Sequence, residues 1–171
     1  YLNDLYKNAA DDLLQAEMIT FSEVSFLLAE AALRGWSVPG DAETHYQNGI
    51  RASLSRWNVE DADIEDYLMS PNVVFAGTLA QIMEQKWIAQ WLHVEPWFDY
   101  RRTGLPVLES GPSARQPVVP VRYVYSEDEV NFNRDNAEQA INLLQETSYA
   151  VEGKNSPWAK MWLLEGLNTP W

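Results

Sequence analysis

The residues best placed to do chemistry lie in two runs, Glu84 to Trp91 and Trp97 to Gly104, the second reading Trp-Phe-Asp-Tyr-Arg-Arg-Thr-Gly. Glu95 and Asp99 are four positions apart, so on a helix they share a face. Two such carboxylates could serve glycoside hydrolysis, one as acid and the other as nucleophile or base. Asp99 also neighbours Arg101 and Arg102. That adjacency favours a structural role, in which charge-assisted hydrogen bonds order a helix end. Trp87 and Trp91 share the same spacing and read most simply as core. Aromatic rings are also the usual platform for sugars, and the sequence does not say which Trp is exposed. Asp61, Asp63 and Glu65 resemble a fragment of a calcium loop, but Asp66 stands where that loop needs Gly. A solvated acidic helix start is the better reading.

Composition narrows the chemistry further. The 171 residues carry 12 Lys and Arg against 25 Asp and Glu, a net charge of −13. Phosphate recognition needs clustered cations, so no nucleic acid partner is expected, and anionic lipid is disfavoured for the same reason. With no cysteine in the chain, it offers no thiolate ligand, disulfide or Cys nucleophile. Its two histidines, His45 and His93, are too few for a His-rich zinc site. No Gly-rich phosphate loop, nucleophile elbow or His-Glu-x-x-His motif is present. The longest uncharged stretch, Tyr67 to Met83, is broken by Ser70, Pro71, Asn72, Gly77 and Gln81 and does not read as a membrane span.

The elements that would position these residues are mainly α-helical. Residues 1–17 have an amphipathic helical pattern through Leu2, Leu5, Tyr6, Ala9, Leu13 and Ala16. Thr20 and Glu23 form a capping-box pattern. The helix that follows is expected to bury a stripe of Phe21, Val24, Leu27, Leu28, Ala31 and Ala32 and to stop at Gly35. After a turn at residues 37–40, Asp41 caps a second helix carrying Ala42, Tyr46, Gly49, Ile50, Ser53, Leu54 and Trp57. Small residues at Ala29, Ala31, Ala32, Ala42 and Gly49 would let the two helices approach closely, a tetratricopeptide-like arrangement. A short helix or turn over residues 61–69 and a third long helix over residues 78–93 follow. Pro96 then suits the first turn of another helix, closed by Gly104 and Pro106.

Beyond Leu105 the pattern becomes irregular. Residues 117–125 are β-branched and aromatic, hence extended, but Pro117 and Pro120 keep them at an edge or outside a regular sheet. Asn131, Asn133 and Asn136 punctuate a turn before a helix over residues 137–147. The aromatic tail around Trp158 and Trp162 is expected to dock on the body.

Together these runs resemble the SusD/RagB family. Phe21 to Trp36 is similar to its tetratricopeptide helix and Tyr46 to Ser53 to the partner helix. Gln85-Lys-Trp-Ile-Ala89 and Trp97 to Pro106 resemble two further signatures, in the family's order. Arg122, Tyr123, Glu127, Asn131 and Asn133 resemble a later block, and Lys160-Met-Trp162 a terminal one. Two departures stand out: Val124 replaces a Pro, and Leu92-His93-Val94 replaces an Asn-Gly turn.

The resemblance covers roughly residues 18–165. It implies a mainly α fold of tetratricopeptide-like helix pairs with an irregular, partly extended C-terminal region. The expected division is an N-terminal helix (1–17, either running on into the rest or joined to it across missing chain near Glu17 and Met18), a helical part (18–104) and an irregular part (105–171). It further implies a surface-exposed outer-membrane lipoprotein of Bacteroidetes that is not an enzyme. Such a protein binds a nutrient, usually a glycan, and delivers it to a TonB-dependent transporter of the SusC type. Its membrane contact would run only through a lipid anchor outside this chain, and no cofactor is implied. Family chains are several times longer, so this one is expected to be part of a longer molecule whose ligand-contacting residues the resemblance does not assign. The alternatives are a helical-repeat scaffold for another protein and a carboxylate-dependent glycoside hydrolase.

Overall fold

In a computed structural model the described residues are 17–166. Apart from its last position, the helix expected over residues 1–17 falls on residues 1–16, outside that range. Seven α-helices are described: α1 (Phe21–Leu33), α2 (Ala42–Arg56), α3 (Asp61–Leu68), α4 (Leu79–Ala89), α5 (Glu95–Thr103), α6 (Glu127–Phe132) and α7 (Arg134–Asn142). A short 3-10 turn spans Trp162–Leu164. No strand occurs among the described residues; extended pairing is confined to one antiparallel bridge between Gln145 and Lys160. No described helix is long and apolar enough to cross a membrane. The fold is thus mainly α, with an irregular C-terminal region. It divides into two compact units between Pro96 and Trp97.

In the first unit, local chemistry sets the helix ends. The Thr20 hydroxyl accepts the Glu23 amide at 3.0 Å, Asp41 accepts that of Thr44 at 2.8 Å, and Thr78 accepts that of Gln81 at 3.3 Å. Each satisfies an amide that the helix itself leaves unpaired. α1 ends as expected at Gly35, whose φ of +76° suits a residue without Cβ. Gly35 N–H donates to Ala32 O and Trp36 N–H to Ala31 O, the paired bonds of a Schellman cap.

Packing corrects two expectations. α1 buries Ser22, Ser25, Phe26, Ala29 and Glu30 rather than the stripe through Phe21, Val24 and Leu27, and Phe21 remains 69% exposed. α1 is apolar on several sides, so its periodicity alone does not select a face. The selected face is the one whose small side chains admit α2: Ser22 Oγ donates to Gly49 O at 2.7 Å. A Cβ on Gly49 would stand 2.8 Å from Phe26 Cε2. The close approach therefore rests on Gly49 and Ala29, while Ala31 is only half-buried. Tyr46 completes the core. Its ring meets Phe26 edge-on at 6.3 Å, and its hydroxyl donates to Val73 O at 2.8 Å. Burial, with lesser contributions from Tyr67 and Glu84, raises the Tyr46 pKa.

The second correction concerns α4, which stops at Ala89 instead of running to residue 93. Leu92 takes φ +71°, a left-handed conformation that no α-helix accommodates. Trp91 consequently lies beyond the helix and is 60% exposed, whereas Gln85, Lys86 and Gln90 are buried. Gln85 is held by the Tyr67 hydroxyl at 3.0 Å.

The second unit contains less helix. α6 forms where a turn was expected: Ser126 accepts the Glu129 amide at 3.3 Å, and Glu127, Asp128 and Glu129 fill the first turn, where carboxylates favour the helix dipole. Asn133 caps α6 at its C-terminal end, and α7 begins directly after it at Arg134, three residues earlier than expected. The Trp158 tail packs within this unit, with Ala159 buried beside Leu144 and Ala150 and Met161 packed against them.

Candidate functional site

α5 carries the run that sequence marks as densest in chemistry. Glu95 and Asp99 lie one turn apart on it, and the Asp99 carboxylate is engaged. Asp99 accepts Arg102 Nη2 at 2.8 Å, and its backbone carbonyl accepts the Thr103 hydroxyl at 2.7 Å. Gly104 N–H then closes the helix on Tyr100 O at 2.7 Å. Glu95 Oε2 stands 3.9 Å from His93 Nδ1, while His93 Nε2 stands 3.3 Å from Glu17 Oε2. Glu17 also accepts Arg56 Nε. Asp99 and Arg102 thus order the helix end, as their adjacency suggests.

Arg101 also packs on aromatic rings. Its guanidinium lies 4.5 Å from the centre of the Trp97 ring and 5.6 Å from that of Phe98, a cation–π arrangement. Burial pulls its pKa below the usual Arg value, although a guanidinium remains charged throughout the accessible range. Trp97 is anchored at its edge, where Nε1–H donates to Pro120 O at 2.9 Å. Tyr123 lies 5.4 Å from Trp97 between ring centres, and Phe98 lies 5.7 Å from it. Trp97 therefore joins Phe98, Tyr123 and the Arg101 guanidinium into one cluster.

The backbone beneath this cluster is held from the other side of the unit. Trp158 Nε1–H donates to Val118 O at 2.9 Å, and Val121 N–H donates to Pro157 O at 3.0 Å. Arg122 is buried and donates to Ser156 O at 2.9 Å and to Asn155 Oδ1 at 3.3 Å. Desolvation lowers its pKa, partly offset by Tyr125, whose ring its guanidinium overlies at 5.2 Å. Asn155 also grips Tyr125, accepting its N–H at 2.9 Å and donating to its carbonyl at 3.1 Å. Residues 117–125 thus lie outside any sheet and bend at Pro117, Val118 and Arg122; indole and carboxamide groups and the Pro157 carbonyl supply the bonds a neighbouring strand would have made.

A separate depression of about 200 Å³ in the first unit is lined by Glu17, Thr20, Phe21, Ser53, Arg56 and Ala89. Among the described residues no group of three or more His, Asp or Glu converges as a metal site. Sequence reasoning grouped Trp97 with Asp99, Arg101 and Arg102. It missed the pairing with Tyr123, since nothing local links positions so far apart.

Comparison with known proteins is informative at this point. Residues 2–126 match the SusD-like family model described as starch-binding and associating with the outer membrane. No curated protein sequence matches the chain. Among solved structures, a SusD-like protein from Bacteroides thetaiotaomicron is 29% identical with a TM-score of 0.61, over 82% of this chain and 35% of that one. A SusD homologue from Bacteroides ovatus is 30% identical with a TM-score of 0.65, over 84% of this chain and 36% of that one. A chitin-binding SusD homologue from Flavobacterium johnsoniae is 26% identical with a TM-score of 0.61, over 80% of this chain and 35% of that one. The chain spans about a third of the length of the structures it matches.

Proposed function

The chain belongs to the SusD-like family, and on that premise we propose that it is part of a cell-surface nutrient-binding protein whose ligand is a glycan. The observation that carries the reading is the family match across residues 2–126. A similar protein described as chitin-binding supports the ligand class. The role is binding without a catalytic step. In support, Asp99, one member of the carboxylate pair that would suit a hydrolase, is committed to Arg102 and to the end of α5. The protein delivers its ligand to a TonB-dependent transporter of the SusC type and is held at the outer membrane as a surface-exposed lipoprotein, through an anchor outside this chain.

Incubation with a panel of oligosaccharides tests the binding reading directly. Saturable binding with no new reducing ends is the expected result. Product formation that disappears in Asp99→Asn, with the fold intact, would return the hydrolase reading, and no binding to any glycan would favour the helical-repeat scaffold. Co-purification from native outer membranes tests the transporter: recovery of a TonB-dependent barrel supports delivery, and recovery of the protein alone counts against it.

A further inference from the structure

We draw no further inference here: the strongest candidate, the apolar face of α1 carrying Phe21, Val24 and Leu27, belongs to a chain that spans about a third of the length of the structures it matches, and nothing among the described residues shows what covers it.

Discussion

The two units solve the same problem by different means. The first buries Phe26, Tyr46, Ile50, Ile82 and Met83 between helices, whose backbones satisfy their own hydrogen bonds. The second has a smaller apolar core around Leu144, Ala150 and Ala159 and ties irregular backbone together with side chains such as Asn155, Arg122, Trp97 and Trp158. The first is therefore sensitive to volume, and the second to the loss of single polar groups. Backbone freed from regular helix can also carry exposed rings at positions that a helix surface does not offer, as Tyr123 illustrates.

Truncation of a ring should have the largest effect. Phe26→Ala opens a cavity against Gly49 and Tyr46 and is expected to cost about 3–5 kcal/mol, measured by chemical denaturation. Overpacking the same contact probes it from the opposite direction. Gly49→Val drives a methyl-bearing carbon into the Phe26 ring, at a cost of about 1–3 kcal/mol, and an unchanged midpoint would show that the two helices are not in close contact.

In the second unit the matching test removes a polar group. Asn155→Ala strands the Tyr125 amide and part of the Arg122 guanidinium, for a loss of about 1–3 kcal/mol. An unchanged denaturation midpoint would show that the second unit does not depend on this group. Accelerated amide exchange confined to residues near Tyr125 would locate the effect.

A gain is expected at Leu92. The residue holds φ +71° where the family's pattern has Asn-Gly, and its side chain is exposed. Leu92→Gly or Leu92→Asn should relieve left-handed strain and stabilise by about 1 kcal/mol, visible as a raised melting temperature. A loss instead would mean that the Leu92 side chain packs in the intact protein.

The smallest effect is electrostatic and falls on the first unit. The Thr44 amide and hydroxyl lower the Asp41 pKa, and the Arg51 guanidinium lowers that of Glu65. A carboxylate with a lowered folded-state pKa stabilises above its unfolded value, and that contribution is lost as pH falls through the folded one. Stability should therefore decline on acidification below about pH 4. Asp41→Ala together with Glu65→Gln should flatten that decline slightly, as read from melting temperatures along a pH series.

Much of the fold is legible in sequence because its determinants are local. Thr20, Asp41 and Thr78 cap helices through atoms three residues away, and Gly35 ends α1 through its own φ. The same rule covers a miss, since Ser126 followed by three acids is a readable start for α6 that the neighbouring asparagines obscured. The long reading of α4 failed because its apolar and aromatic spacing continues past Ala89, while the backbone turns left-handed at Leu92.

What sequence by itself determined, then, is where helices begin, where several end and which family the order of motifs resembles. Each of these depends on groups a few bonds apart or on linear order. Only the tertiary structure decided which side of α1 is buried, because a helix apolar on several faces takes the one that a neighbour's Gly49 can approach. It also decided which aromatics remain at the surface. Trp91 and Tyr123 are as apolar in sequence as Trp158, but exposure depends on what packs against a ring, and Tyr123 meets Trp97 across a gap in the chain that no local pattern spans.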